Sequence, residues 1–362
     1  MKIEEIDVNM KGAKAEEGVR WIDCKTLTIE GKSFSDTESF YDRLPAQAKE
    51  TADANVWALA QNSAGIAVRF ITSAASISAR WTLRSPELDM PHMPATGVSG
   101  VDLYIKRDDQ WRWIGAGKYM EFPVSEALLA KIPAEEQNAE NEFLLYLPLY
   151  NGVEKIEIGV PDDAEVFPAP PRGKPIVFYG TSIVQGGCAS RAGMAYPAIL
   201  GRWMDCPTIN LGFSGNGRMQ PGVVRYFPQI DAKMFVIDCV PNFVEPEFRG
   251  LVVERTPALV ALLREAHPEA PIVLVEGAPG SSWFDMTSSY ASSGRALANV
   301  ELKKACETLA QQGITNLYYI PGGELLDSDG EATVDGTHPT DLGMIRMAEM
   351  LLPVLREISG SS

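Results

Sequence analysis

Ser182 has the residue type and the position of a catalytic nucleophile. It follows the apolar run from Ile176 to Tyr179 by way of the turn residue Gly180, which predicts a hydroxyl at the end of a buried strand. A serine hydroxyl is a weak nucleophile unless a neighbouring base removes its proton. We interpret His338 as that base, because it is the one histidine that stands at a predicted strand end.

Asp335 precedes His338 by three residues and could orient it. The segment that contains both residues comes just before the last predicted helix, Thr340 to Ile358. A carboxylate that accepts from one imidazole nitrogen fixes the tautomer in which the other nitrogen can take a proton, and it stabilises the imidazolium that forms. Ser182, Asp335 and His338 together have the composition of a Ser-His-Asp triad, which predicts acyl-transfer chemistry.

Two further segments could supply hydrogen-bond donors to an oxyanion. A glycine-rich turn that includes Gly215 follows the predicted strand Thr208 to Leu211, and Asn242 follows the next predicted strand. Attack on an ester places negative charge on the carbonyl oxygen, and N–H groups aimed at that oxygen stabilise it. We therefore expect an oxyanion hole formed by the backbone N–H groups of Ser182 and Gly215 and the side-chain amide of Asn242.

Each of these residues also has an ordinary structural interpretation. Ser182 and Gly215 are common turn residues, and Asn242 is a common loop residue. His338 could cap the last helix, and Asp335 could simply form a turn. The functional interpretation depends on the order and placement of all the segments, since the carboxyl ends of parallel strands meet at one edge of a sheet, where active sites form.

Thiols and metal ions offer alternative chemistry that the spacing disfavours. The five cysteines are widely spaced, odd in number and lack a C-x-x-C pair, which predicts free and mostly buried thiols. Cys188 and Cys239 stand near the predicted site, but neither has a histidine of its own. The three histidines are far apart in sequence, and no H-x-x-x-H pattern occurs. We therefore expect neither a metal ion nor an organic cofactor.

The two halves of the chain predict different architectures. From Pro175 onward, short apolar strands alternate with helical segments, which is typical of a parallel sheet covered by helices on both faces. Residues 1–165 instead carry short runs of alternating polarity separated by turns, such as Ser76 to Leu83, and these predict a β-sandwich of jelly-roll type. Prolines crowd the segment between the halves, so we predict a linker over 166–174 and a second domain over 175–362.

Composition limits the partners of the protein. The 362 residues carry a formal net charge of -16, which repels nucleic-acid phosphates and anionic lipid surfaces. The sequence has no apolar run of about 18 residues, as a membrane helix requires. The polar N-terminus lacks the apolar segment of a signal peptide. We therefore expect no nucleic-acid or membrane partner and a cytoplasmic location, or a periplasmic or secreted one if a leader segment was removed; composition predicts no oligomeric state.

The order of these segments resembles the SGNH, or GDSL-type, hydrolase superfamily. Its members carry a serine after the first strand, a glycine after the second, an asparagine after the third and Asp-x-x-His near the C-terminus. Ser182, Gly215, Asn242, Asp335 and His338 fall on those positions. The resemblance implies a flavodoxin-like parallel sheet, a serine mechanism without cofactor, and the residue roles given above.

Two departures from the usual pattern point to one subgroup. The common Gly-Asp-Ser-Leu reads Gly-Thr-Ser-Ile around Ser182, and a Val-Pro pair precedes Asn242 where a glycine is usual. A subgroup with Gly-Thr-Ser is more similar, and its members carry an N-terminal β-domain with a Gly-x-Asp-Leu-Tyr motif. Residues 100–104 match that motif. We interpret Asp102 within it as structural rather than catalytic.

The resemblance and the residues together predict an esterase that acts on short acyl esters, with acetyl on a carbohydrate as the expected substrate. The loop after Ser182 is small and polar, and tryptophans in the first half could stack on sugar rings, although core packing is the commoner role. Two alternatives remain open. The same triad could serve an acyltransferase, or the protein could bind carbohydrate with a degenerate hydrolase domain.

Overall fold

Alternating apolar residues in the first half of the chain form two antiparallel sheets. The computed structural model describes residues 3–7, 10–16, 18–138, 141–280 and 293–360. One sheet has the strand order β1-β9-β4-β7 and the other β10-β3-β8-β5-β6, with β2 also paired to β3. The strands are β1 (Val19–Asp23), β2 (Thr28–Glu30), β3 (Ala67–Thr72), β4 (Ser76–Leu83), β5 (Asp102–Arg107), β6 (Gln110–Ala116), β7 (Val124–Lys131), β8 (Glu142–Tyr146), β9 (Val153–Pro161) and β10 (Val166–Pro168).

The two sheets pack face to face, so the predicted β-sandwich is present. Their shared core includes Trp81 and Ile156 from one sheet and Phe70, Leu103 and Phe143 from the other. The rings of Phe70 and Phe143 stack with their centroids 5.3 Å apart. Burying side chains of this size stabilises the fold by about 1.5–3 kcal/mol each.

The second half forms one parallel sheet with the order β12-β11-β13-β14-β15. Counted within this half, the order is 2-1-3-4-5, which is that of flavodoxin-like folds. The first four of these strands in chain order are buried on both faces, as their continuous apolar sequences predict, whereas the last strand, at the edge of the sheet, is only partly buried. The strands are β11 (Ile176–Gly180), β12 (Thr208–Gly212), β13 (Met234–Asp238), β14 (Ile272–Val275) and β15 (Leu317–Ile320).

Helices cover this sheet and connect the strands. Across both halves of the chain, the helices of the described residues are α1 (Ile3–Ile6), α2 (Ala54–Ala60), α3 (Ala95–Val98), α4 (Ser182–Gln185), α5 (Tyr196–Trp203), α6 (Pro221–Val224), α7 (Pro246–Arg249), α8 (Leu251–Ala266), α9 (Gly294–Gln311) and α10 (Asp341–Ser359). In the described residues, no helix combines the length and the apolar character needed to cross a membrane.

The two halves of the chain pack against each other and share a hydrophobic core. One cluster joins Tyr104 and Tyr146 of the sandwich to Phe178, Tyr196 and Met344 of the α/β half. The predicted linker, 166–174, begins with β10, which pairs with β3 at the edge of a sheet, where a proline costs no ladder hydrogen bond. Arg172 then forms an ion pair with Glu30, so this segment is also fixed to the sandwich.

The structure differs from the sequence prediction at one long helix. The run from Pro257 to Ala266 predicts a helix that begins at Pro257, because proline is favoured at the first helical turn. Instead α8 begins at Leu251, and Pro257 lies inside it. The proline is the seventh residue of the helix, beyond the first N–H groups that lack an intrahelical acceptor, so α8 has one backbone hydrogen bond fewer there.

Candidate active site

The register of the parallel sheet brings the predicted site segments to one edge. Gly180 at the end of β11 pairs with Gly212 on β12 and with Asp238 on β13. The three strands therefore end at the same level. Ser182, the glycine-rich turn and the turn that contains Asn242 all leave the sheet from this edge.

Ser182 is the first residue of α4, and Thr181 caps that helix. The Thr181 side chain accepts a hydrogen bond of 3.2 Å from the N–H of Ile183. Threonine and aspartate are both good N-cap residues. The departure from Gly-Asp-Ser-Leu therefore preserves the cap that holds the serine at the helix start.

The structure brings Ser182, His338 and Asp335 together in the order that proton transfer needs. The Ser182 Oγ lies 2.8 Å from Nε2 of His338. The Nδ1 of the same ring lies 2.7 Å from Oδ2 of Asp335. Ser182 is 6% exposed, so the residue is buried.

The backbone around Asp335 keeps this carboxylate ionised. Its Oδ1 accepts from the N–H groups of His338, at 2.8 Å, and Thr337, at 3.0 Å. Partial burial by itself would raise the pKa of Asp335, but these bonds and the imidazole outweigh it and lower the pKa to about 2. At any pH above about 4, therefore, the His338 ring faces a carboxylate.

A tight turn before α10 sets the position of His338. The carbonyl of His338 accepts from the N–H of Val334 at 2.9 Å, which closes the turn. Thr340 then caps α10 through its side chain, which accepts from Gly343. The imidazole is thus held by a short loop between a closed turn and a helix cap, which restricts its motion relative to Ser182.

The donors predicted for the oxyanion hole lie on linked turns. Gly215 has a φ of +67°, a left-handed conformation that favours glycine. The N–H of Gly217 donates to Oδ1 of Asn242 at 2.9 Å. Because the amide oxygen of Asn242 is thereby engaged, its NH₂ group is left to donate elsewhere. Within the described residues, the N–H groups of Ser182 and Gly215 donate to no protein acceptor.

Asn242→Ala is expected to lower kcat by about 10² to 10³, with a smaller effect on KM. A donor directed at the tetrahedral oxyanion stabilises the transition state more than the bound ester. Steady-state kinetics on an activated acetyl ester measure both constants. A loss below about threefold for Asn242→Ala would place Asn242 outside the hole.

A pocket of about 460 Å³ opens above His338, between the two halves of the chain. Volumes of this size accommodate small molecules. Both halves contribute to its wall, which is lined by Asn55, Ala58, Leu59, Met90, His92, Met93, Tyr150, Gly187, Cys188, Ser214, Asn216 and His338. No sequence pattern predicted the lining residues that come from the first half.

His92 is an addition from the first half whose ring lies beside that of His338. Its ring centroid lies 6.0 Å from that of His338. No spacing rule joins residues so distant in sequence, so no signal in the chain predicted this contact. The third histidine, His267, packs against Phe235 near the start of β13, at the opposite end of the sheet.

The tryptophans of the first half do not line this pocket. Trp81 is fully buried and donates to the carbonyl of Ser99, and Trp111 is also buried. Trp113 is half-exposed, and its indole N–H donates to Asp102 at 2.7 Å. Trp57, Trp81, Trp111 and Trp113 were candidates for stacking on sugar rings, and all four are absent from the described pocket wall. Their expected stacking on a sugar therefore has no support at this site.

The two thiols near the site are poor candidates for a nucleophile. Burial and the nearby Asp335 carboxylate raise the pKa of Cys188 to about 11. Burial also raises the pKa of Cys239 far above its ordinary value. Both thiols are therefore protonated at neutral pH, and the thiolate is the reactive form. All five cysteines are free, as predicted.

Asp102 of the Gly-x-Asp-Leu-Tyr motif ties the first half to the loop that follows Ser182. Its fully buried carboxylate accepts from Arg191 at 2.7 Å and from the N–H of Gly193 at 2.9 Å. Tyr104 also accepts from Arg191. Burial raises the pKa of Asp102, and the guanidinium opposes that shift. This arrangement agrees with a structural role for Asp102 and leaves Arg191 engaged with the protein.

The pH profile of kcat/KM is expected to rise along a single limb that reports the His338 imidazole in the free enzyme. A general base must be neutral, and imidazole is the side chain that ordinarily titrates between about pH 5 and 8. Asp335, with a pKa of about 2, and Cys188, with a pKa of about 11, titrate outside that range. His338→Ala should abolish the limb with most of the activity, whereas His267→Ala should keep it. A limb that depends on His267 would contradict the assignment.

Each half of the chain matches the model of a known protein family. Residues 173–356 match the model of the GDSL-like Lipase/Acylhydrolase family, and residues 19–166 match the model described as the N-terminus of Esterase_SGNH_hydro-type. No curated protein matches the chain at a significant level.

Solved structures with both halves are similar over nearly the whole chain. A GDSL-like lipase from Bacteroides ovatus is 34% identical, with a TM-score of 0.86 over 95% of this chain and 99% of that one. A salicylyl-acyltransferase from a tetracycline biosynthetic pathway is 18% identical, with a TM-score of 0.75 over 95% and 98%. An acetyl xylan esterase from Butyrivibrio proteoclasticus is 12% identical, with a TM-score of 0.58 over 94% and 99%.

Proposed function

Because this chain belongs to the GDSL-like lipase/acylhydrolase family of SGNH hydrolases, we propose that it is a serine esterase that forms an acyl-enzyme on Ser182. The observation that carries the proposal is the continuous set of contacts from Ser182 Oγ to His338 Nε2, at 2.8 Å, and from His338 Nδ1 to Asp335, at 2.7 Å. A degenerate hydrolase domain would have no reason to keep all three groups in this order. The alternative of a carbohydrate-binding protein is therefore disfavoured.

In the proposed mechanism, Ser182 Oγ attacks the ester carbonyl while its proton moves to Nε2 of His338. The carbonyl oxygen becomes an oxyanion, which the N–H groups of Ser182 and Gly215 and the amide of Asn242 stabilise. The C–O bond to the alcohol then breaks, and His338 returns the proton to the leaving alkoxide. Water repeats the steps on the acyl-enzyme and releases the acid. Asp335 stabilises the imidazolium at each stage.

The substrate we propose is a short acyl ester, with acetyl as the acyl group and a carbohydrate as the alcohol. Small residues lie beside the triad: a Cβ at Gly187 would lie 3.0 Å from the Tyr150 hydroxyl and 3.4 Å from the His338 ring. That crowding favours a small acyl group. Asn55 and Asn216 line the pocket and could bond to sugar hydroxyls. The acetyl xylan esterase has a similar fold, which supports the substrate by analogy alone.

An acyltransferase is the second candidate, and the apolar part of the pocket favours it. Leu59, Met90 and Met93 form a wall that could hold an acceptor alcohol and limit the access of water to the acyl-enzyme. The fold similarity to a salicylyl-acyltransferase extends over both halves of the chain. The steps on Ser182 would be unchanged up to formation of the acyl-enzyme. An alcohol, rather than water, would then attack the acyl-enzyme.

The proposed substrate predicts that kcat/KM is highest for acetyl among acetyl, butyryl and octanoyl esters of one leaving group. We expect the octanoyl ester to react at least about tenfold more slowly, because a pocket discriminates by about 1–3 kcal/mol for each methylene that does not fit. Release of acetate from acetylated sugars tests whether the alcohol part of the substrate is a carbohydrate. A preference for octanoyl, or no release from any acetylated sugar, would contradict the proposed substrate.

Product analysis with an added acceptor alcohol separates hydrolysis from transfer. An esterase yields free acid at a rate that the acceptor barely changes. A transferase yields the new ester in excess over acid even though water is far more concentrated. Both outcomes require Ser182, so this comparison tests the fate of the acyl group independently of its attachment site.

A further inference from the structure

Three side chains that can bind soft metal ions converge beside Ser182. One nitrogen of His92, the Sγ of Cys188 and one nitrogen of His338 all lie within 4.8 Å of one another. They come from three separate segments: the loop between Met90 and Met93, the loop after α4, and the turn before α10. Their grouping is therefore a product of the fold and of the contact between the two halves.

Two of the three ligand atoms are not engaged elsewhere. Within the described residues, neither the ring of His92 nor the thiol of Cys188 makes a hydrogen bond, although the thiol is buried. Cys188 also has a φ of +71°, which is unusual for a residue with a side chain. It lies in a glycine-rich loop, directly after Gly186 and Gly187. Since Nδ1 of His338 faces Asp335, Nε2 is the nitrogen of that ring that faces the pocket.

We propose that His92, Cys188 and His338 form a binding site for a divalent zinc-like cation, and that binding there inhibits the enzyme. The cation would take the Nε2 lone pair that otherwise accepts the Ser182 proton. Binding displaces the thiol proton of Cys188 to solvent, so one proton is released for each ion bound. Water, or the Ser182 hydroxyl, would complete the coordination. The cation site itself is independent of the proposed function, whereas the inhibition rests on it.

The donor set selects for one class of ion. Two imidazoles and one thiolate suit Zn²⁺, whereas Mg²⁺ and Ca²⁺ prefer oxygen ligands. Bonds of about 2.0–2.3 Å place tetrahedral ligand atoms about 3.3–3.8 Å apart. The separations between the three ligand atoms must therefore shorten by up to about 1 Å. His92 is an exposed side chain that can make that movement. Asp335 would remain on the far side of His338, as carboxylates often do behind a zinc-bound histidine.

The test measures zinc binding directly, by competition with a chromophoric chelator, on the full-length Ser182→Ala variant. Removing the hydroxyl leaves all three ligands in place and makes the measurement independent of turnover. We expect one zinc ion per chain, with affinity that increases with pH because a proton is released. Loss of an outer partner of a bound metal already costs about 10- to 100-fold in affinity. His92→Ala and Cys188→Ser, each added to Ser182→Ala, are therefore expected to weaken binding at least as much.

Controls and a second readout make the outcome unambiguous. His267→Ala removes a histidine at the opposite end of the sheet and is expected to leave zinc affinity unchanged. Cobalt(II) added in place of zinc is expected to show a thiolate charge-transfer absorption that Cys188→Ser abolishes. Absence of that absorption, or equal zinc affinity in all variants, would overturn the proposal. If zinc binds as expected but the wild type hydrolyses no ester, the cation site stands and the proposed function fails.

Discussion

Ser182→Ala is expected to reduce kcat on an activated acetyl ester by about 10⁴- to 10⁶-fold. Removal of the nucleophile in a serine hydrolase costs about this much, because the remaining activity comes only from substrate binding and the oxyanion donors. Within the described residues, the hydroxyl has one side-chain partner, His338 Nε2 at 2.8 Å, and no other serine contacts that nitrogen. Stopped or continuous assays at saturating substrate give kcat, and circular dichroism verifies that the variant is folded.

Covalent labelling provides the control for this variant. A fluorophosphonate probe is expected to add once to the wild type, at Ser182, and not at all to Ser182→Ala. Ser214→Ala is the matched variant, because Ser214 also lines the pocket and should leave labelling intact. If Ser182→Ala kept more than a small fraction of the activity, or if the label were found on Ser214, Ser182 would not be the nucleophile.

Asp335→Asn is expected to lower kcat by about 10⁴ while the loop keeps its shape. The amide oxygen can still accept from the N–H groups of Thr337 and His338, which now donate to Oδ1 at 3.0 and 2.8 Å. The amide nitrogen, however, would donate to Nδ1 of His338 and so place the ring proton on Nε2. In that tautomer the ring cannot accept the serine proton, which explains an effect of this size.

The control for Asp335→Asn is a second carboxylate in the same segment of the chain, between β15 and α10. Asp329 accepts from Arg346 at 2.7 and 2.8 Å, on the surface and away from the triad. Asp329→Asn should therefore change kcat little. A loss of less than about tenfold for Asp335→Asn would mean that another group orients His338, since a tautomer change acts on every turnover.

The approach of Ser182, His338 and Asp335 to one another could be predicted from sequence because each follows a recognisable strand or precedes a recognisable helix. Continuous apolar runs mark strands buried on both faces, and parallel strands place their carboxyl ends together. Ser182 and Asn242 could be assigned to one edge for that reason. Asp335 and His338 are three residues apart, so their contact is local.

The pocket wall could not be predicted in the same way. His92 approaches His338 through the contact between the two halves, and α2, which carries Leu59, was not recognised because its seven residues are too few for a clear periodicity. Strands β1 and β7 were also missed. Tryptophan content alone did not distinguish a buried Trp81 from a half-exposed Trp113, since the burial of each depends on its tertiary neighbours.

The contact between Asp102 and Arg191 limits how this architecture can change by recombination. A buried carboxylate of one half and a guanidinium of the other neutralise each other, and breaking such a pair leaves an uncompensated charge that costs about 3–5 kcal/mol. A hydrolase half joined to a foreign sandwich would carry that cost, and it would lose the support of the loop that contains Cys188. This cost disfavours exchange of whole domains and favours substitution in loops as the source of new substrate ranges.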